Sequence, residues 1–248
     1  MVKKEQKLEI SGKIIGILGG MGPETTVDLF YRIIKFTPAK KDQEHLRIII
    51  DNNPKIPDRT AAILGVGEDP VAVLQETAKN LEKAGADFII IPCNTAHYFL
   101  PQIQKSVNIP LLNMIEETAK EISRKRNPQI KKVGLLASIG IYETKIYTKH
   151  FEKYDIKVIS PEKKDKEEVK RIIYAVKAGD LSGNIKNDIL NITRKLIDRG
   201  AEAIITGCTE IPLILREGDI ISQKKRNDLI IIIDPTQVLA KAAIKKAR

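Results

Sequence analysis

The chain has 248 residues, 42% hydrophobic and 30% charged, which suits one large or two ordinary globular domains and excludes a disordered polymer. Lysine and arginine outnumber aspartate and glutamate by 42 to 32. With aromatics at 4% and the lysines scattered, that excess reads as a solvated basic surface that draws in small anions, not as a nucleic-acid platform. Two cysteines, and three histidines without H-x-x-x-H or C-x-x-C spacing, make neither a disulfide framework nor a structural zinc site, so no metal is expected.

The charged start, Met1-Val2-Lys3-Lys4-Glu5-Gln6-Lys7, has no apolar signal core, and the longest aliphatic run, 229–233, is far shorter than a membrane span. A cytoplasmic protein with neither a membrane nor a nucleic-acid partner is expected. A run at 14–18 has the length and β-branching of a buried strand, and it enters the turn Gly19-Gly20-Met21-Gly22-Pro23. That turn has neither dinucleotide-binding nor Walker A spacing; it reads as a tight anion-binding or structural turn, with Pro23 near a helix start. Strands are expected at 46–50, 87–91 and 109–112, with an amphipathic helix over 69–84 opened by Asp69-Pro70 and closed by Gly85. Further strands follow at 132–137, 156–159, 202–206 and 230–233, and helices near 165–178 and 184–199. Such alternation implies parallel sheets wrapped by helices, with ligands at the carboxyl ends of the strands.

The second set of elements copies the first. Gly85-Ala86-Asp87-Phe88-Ile89-Ile90-Ile91-Pro92-Cys93 aligns without a gap on Gly200-Ala201-Glu202-Ala203-Ile204-Ile205-Thr206-Gly207-Cys208. Upstream, 16–22 aligns on 134–140, and downstream Leu111-Leu112-Asn113 aligns on Ile232-Ile233-Asp234. The expected fold class is therefore α/β: two similar domains related by pseudo-twofold symmetry, each a mainly parallel sheet flanked by helices, with the site in the cleft between them. Asn113 and Asp234 end equivalent strands, which places one domain at 1–113 plus 235–248 and the other at 114–234. The C-terminal helix is expected to return to the first domain.

Both cysteines fall at equivalent strand ends. Each precedes an expected helix, whose unpaired N–H groups would favour a thiolate. One free cysteine is commonly just a small buried hydrophobe; two in matching positions point to shared chemistry. Facing thiols suit inversion at carbon, because one can remove a proton from one face while the other returns a proton to the opposite face. With no lysine in an obvious pyridoxal-phosphate context, the carbanion would be held electrostatically by hydroxyl, amide and backbone donors. Asn94, Thr95 and Thr209 are placed for that task or, equally, for capping the helices that follow.

Gly19-Gly20-Met21-Gly22-Pro23, Ile56-Pro57-Asp58-Arg59-Thr60, Pro92-Cys93-Asn94-Thr95-Ala96-His97, Val176-Lys177-Ala178-Gly179 and Gly207-Cys208-Thr209-Glu210 together resemble the PLP-independent aspartate/glutamate racemase superfamily. The likeness runs from about residue 13 to 244, and Glu210 resembles the aspartate branch. It implies a cofactor-free, two-base racemase acting on a small anionic amino acid, as a homodimer, with Cys93 and Cys208 catalytic. It also implies that Asn94, Thr95 and Ala96 lie at the α-carboxylate and that Arg59 and Lys177 reach the side chain. Met21, Gly22, Ser138, Thr209 and Glu210 complete the implied substrate-binding set. Ile141 stands where the family pattern has a threonine, so a hydroxyl is expected to be lost there. Related isomerase activities on glutamate, other amino acids, hydantoins or maleate, and a non-catalytic two-lobed carboxylate-binding protein, are the alternatives.

Overall fold

The computed structural model describes residues 12–124, 129–220 and 230–248; the charged amino-terminal segment lies outside them. The first unit holds strands β1 (Ile15–Gly19), β2 (Ile48–Asn52) and β3 (Phe88–Ile90), with helices α1 (Pro23–Phe36), α2 (Arg59–Ile63), α3 (Val71–Lys83) and α4 (Leu100–Gln104). The second holds β4 (Lys132–Ala137), β5 (Lys157–Ile159), β6 (Ala203–Gly207) and β7 (Ile231–Ile233). Its helices are α6 (Ile139–Thr144), α7 (Ile146–Phe151), α8 (Lys163–Lys177), α9 (Gly183–Asp198) and α10 (Ile211–Ile214). Two more helices, α5 (Met114–Arg124) and α11 (Pro235–Ala247), follow the last pairing segment of each unit.

Among the described residues the seven strands pair in parallel, in the orders β2-β1-β3 and β5-β4-β6-β7. The strand expected at 109–112 shrinks to a single parallel bridge between Ile89 and Leu111, in the place that β7 fills in the second sheet. The expected helix 69–84 forms as Val71–Lys83, and Gly85 leaves it with φ +94. Glu82 Oε1 accepts from the N–H groups of Asn108 and Ile109, at 2.7 and 3.2 Å. The chain is thus guided back to the sheet edge by a carboxylate rather than by a full ladder.

Alternation along β1 decides the two faces of the first sheet. Ile15 and Ile17 pack with Leu29 and Ile33 of α1, while Leu18 packs with Leu74 and Leu81 of α3. Gly16 lets α3 lie close: a Cβ there would stand 2.9 Å from Ala86 Cβ and 3.4 Å from Leu81 Cβ. Its counterpart Gly134 does the same for α9, with Leu196 Cβ at 3.1 Å. The duplicated glycines thus preserve one packing contact in both units.

The two late helices cross over. Leu239, Ala240 and Ala243 of α11 share a core with Ile15, Ile17 and Leu29, and Arg32 pairs with Asp234 at 2.7 Å. Conversely, Ile115, Ala119 and Ile122 of α5 share a core with Val133, Leu135 and Phe151. Each unit is therefore completed by the helix that follows the other. Among the described residues no helix is long and apolar enough to cross a membrane.

Candidate active site

Cys93 leaves the first sheet just beyond β3, and Cys208 leaves the second just beyond β6. The segments after them differ from the expected helices. Thr95–Phe99 is a 3₁₀ turn, and α10 has only four residues. Neither supplies a developed helix dipole, and neither Asn94 nor Glu210, the residues at the two starts, makes a side-chain capping bond. The capping alternative for Asn94, Thr95 and Thr209 therefore gives way to contacts between the units. Tyr147 Oη donates to Asn94 Oδ1 at 2.5 Å, Thr95 Oγ1 lies 3.0 Å from Ser138 Oγ, and Thr25 Oγ1 donates to Thr209 Oγ1 at 3.2 Å.

His97 braces the Cys93 corner. Its Nδ1 lies 2.8 Å from the Cys93 carbonyl, and its Nε2 lies 3.0 Å from the Met114 N–H. A carbonyl only accepts and an amide N–H only donates, so the neutral tautomer with the proton on Nδ1 satisfies both. Burial pushes its pKa down to about 4, against the raising effect of the Cys93 carbonyl bond. Beside it Asn94 is buried, and its Nδ2 has no protein acceptor among the described residues. An unpaired buried amide donor is expensive unless something else engages it.

The Cys208 corner is charged. Cys208 Sγ donates to Glu210 Oε2 at 2.8 Å, Thr209 Oγ1 donates to the same oxygen at 3.2 Å, and Lys177 Nζ stands 3.8 Å from Glu210 Oε1. Burial pushes the Cys208 thiol well above its ordinary value; the charge of Glu210 and the hydrogen bond to it add to that, and Lys177 opposes them. Expecting a thiolate favoured by a helix start was thus wrong for Cys208. Burial works against the Lys177 ammonium, but Glu210, Cys208 and Cys93 outweigh it, so the lysine is held above its usual range.

Both sulfurs line one cavity of about 230 Å³ between the units. Met21, Arg59, Asn94, Thr95, Ser138, Lys177, Thr209 and Glu210 line it with them. Gly22 opens instead on a larger adjoining cavity of about 960 Å³, which shares Met21, Arg59, Lys177, Thr209 and Glu210. Ala96 is fully buried and its side chain lines neither. Asp58 caps α2 through the Ala61 N–H, which sets Arg59 on the first turn with Nη1 donating to the Ile56 and Pro57 carbonyls and Nε buried without an acceptor among the described residues. Ile141 packs in the core with Val133 and Tyr147, away from the cavity. The hydroxyl expected to be missing there is therefore no loss to the cavity wall, and Ser138 supplies one in the same loop.

Several wall residues escaped the sequence reading. Lys170, Ile173 and Tyr174 lie on α8 at spacings of seven, four and three from Lys177, so the helical period alone would have grouped them. Leu64, Val66 and Ile139 had no such signal; they come into the wall through the packing of α2 on α6, where Gly140 leaves room for Thr60 and Ile63.

The family model described as Asp/Glu/Hydantoin racemase matches residues 18–243. The chain belongs to this family. As an amino-acid racemase of the Asp/Glu racemase family, it is 31% identical over 239 residues to the broad specificity amino-acid racemase RacX of Bacillus subtilis, covering 93% of this chain and 96% of that one. Among solved structures, the aspartate racemase of Picrophilus torridus is 34% identical with a TM-score of 0.78 over 94% of each chain. An aspartate racemase homologue from Pyrococcus horikoshii is 27% identical with a TM-score of 0.71, covering 94% of this chain and 98% of that one.

Proposed function

We propose that the protein interconverts L- and D-aspartate without a cofactor, passing the α-proton between Cys93 and Cys208. The observation that carries this is the shared cavity: two thiols from equivalent strand ends with the cations Arg59, Lys170 and Lys177 in one small space. One sulfur, as thiolate, takes the α-proton; the other, as thiol, delivers a proton to the opposite face. The α-carboxylate gains negative charge in between. The Asn94 amide, with the hydroxyls of Thr95, Ser138 and Thr209, is suited to hold it, each well-aimed donor contributing up to about 3–4 kcal/mol. Arg59 presents a planar fork that suits a second carboxylate, and Lys177 adds charge beside it.

The 230 Å³ space lies below the range of about 300–1,000 Å³ usual for drug-sized ligands, which favours a small amino acid. A domain division at 113/114 and 234/235 goes with this function, since it puts one cysteine in each unit. A homodimer also goes with it; exposed Val27, Tyr31 and Ile34 on one side of α1 are suited to self-association. A broader amino-acid specificity is a second reading, favoured by the apolar wall of Leu64, Val66, Ile139, Ile173 and Tyr174.

Incubation of L-aspartate in heavy water, with no added cofactor, is expected to yield D-aspartate deuterated at Cα. Absence of α-exchange with aspartate and with a panel of other amino acids would reject the racemase assignment. Exchange that is faster with uncharged side chains would favour the second reading.

A further inference from the structure

The duplication pairs Cys93-Asn94-Thr95 with Cys208-Thr209-Glu210; both positions after the cysteine differ, and at the second of them one copy carries a carboxylate where the other has a hydroxyl. Thr95 turns its hydroxyl across to Ser138. Glu210 turns its carboxylate back onto its own cysteine, accepting from Sγ at 2.8 Å. Among the described residues, no carboxylate is hydrogen-bonded to the Cys93 sulfur. A carboxylate that accepts from a thiol favours the protonated sulfur, because ionisation would set two negative charges side by side and remove the donor.

We propose that Glu210 is a positioning residue that gives the thiol pair a resting direction: it holds Cys208 as the thiol, so that Cys93 is the first base and Cys208 the first acid. This rests on the two-thiol racemase assignment and deepens it. The resting enzyme takes the enantiomer whose α-proton faces Cys93. That proton passes to the Cys93 thiolate, and the Cys208 thiol gives its proton to the other face of the carbanion. The enzyme is left with a Cys93 thiol and a Cys208 thiolate. Cys93 then loses one proton to solvent and Cys208 gains one, with no net change in protons. Lys177, 3.8 Å from Glu210, is the cation beside the transient Cys208 thiolate. The other titratable groups around this sulfur are Arg59, Asp58, Lys170 and Tyr174 in the cavity wall and the buried phenols of Tyr142 and Tyr147.

A kinetic signature follows from thermodynamics. The two enantiomers are equal in free energy, so kcat/KM must be the same in both directions. A preferred resting form can therefore appear only as kcat and KM scaled together, larger in one direction than in the other.

Two measurements test this. The first uses no substrate: the thiolate absorbance of the Cys93→Ser protein is followed against pH, with Glu210 intact, as Glu210→Gln, and as Glu210→Thr, which puts at this position the residue type found two places after Cys93. The Cys208 midpoint is expected to fall by about one pH unit or more in both variants, a tenfold rise in acid dissociation. An unchanged midpoint in either folded variant overturns the proposal. The second measures kcat for L-to-D and D-to-L conversion in the two-cysteine protein. Their ratio is expected to differ from one, to move toward one in Glu210→Gln, and to be restored in Glu210→Asp. A ratio that Glu210→Gln leaves unmoved overturns it. Absence of turnover in the unmodified protein sinks the racemase assignment and the directional claim together, and the substrate-free titration distinguishes that failure from a failure of the Glu210–Cys208 coupling.

Discussion

The Cys93 and Cys208 corners began as one sequence pattern and are now held by different physics. At Cys93 the bracing is neutral: an uncharged His97 links the Cys93 carbonyl to the start of α5, and Asn94 reaches Tyr147 in the other unit. At Cys208 it is ionic, running from sulfur to Glu210 to Lys177. Duplication gives a pair of sulfurs on one cavity, and divergence at the two positions after each cysteine, Asn94 against Thr209 and Thr95 against Glu210, makes the pair chemically unequal. A symmetric scaffold thus need not give symmetric titration.

The comparison is broken most forcefully at the sulfurs. Cys93→Ser and Cys208→Ser are each expected to lower racemisation by about 10²–10⁴-fold, with an unchanged circular dichroism spectrum, because each face then lacks its acid–base group. Full activity in either variant, measured by chiral chromatography, would remove that sulfur from the mechanism. Next in size is Asn94→Ala, expected to lower kcat/KM by about 10²–10³-fold through loss of a charge-stabilising donor. If only thermal stability fell, the amide would serve the Tyr147 contact and nothing else.

The neutral corner also predicts a pH effect on stability. His97 has its folded pKa depressed from 6.5 to about 4, so the unfolded chain takes up a proton before the native state does. The stability this group contributes is fully present above pH 6.5 and is lost as pH falls from there through about 4. The loss is on the order of 3 kcal/mol. Urea unfolding at about pH 7 and about pH 4.5 is expected to show a larger drop for the unmodified protein than for His97→Gln, and equal drops would refute the assignment.

The smallest effect is expected at the shared wall. Arg59→Lys replaces a fork by a point charge and is expected to raise KM for aspartate by about tenfold, roughly 1.4 kcal/mol. KM for an amino acid with an uncharged side chain should change less. An equal rise for both would mean that Arg59 holds the α-carboxylate or shapes the loop.

Much of this architecture was legible in the chain itself. Strand-length aliphatic runs, Pro and Gly punctuation and a repeated register are local signals, and they located every strand from β1 to β7 within two residues. The equivalence of Gly16 with Gly134, and of Cys93 with Cys208, followed from the same repeat. The bridge at Leu111 was less legible, because four apolar residues look alike whether they pair along their length or at one point. Ile141 was misjudged because position in a motif does not say which way a side chain turns.

The sequence by itself determined two parallel α/β units, a sulfur at the matching strand end of each, and most of the polar side chains around the cavity. Tertiary structure alone decided that short turns follow the cysteines and that Glu210 folds back on Cys208. The reason is physical. Strand and helix patterns repeat over a few residues and are written locally. The direction of a side chain beyond a strand end depends on a handful of backbone dihedrals and on partners from the other unit, such as Tyr147 for Asn94, which lies 53 residues away.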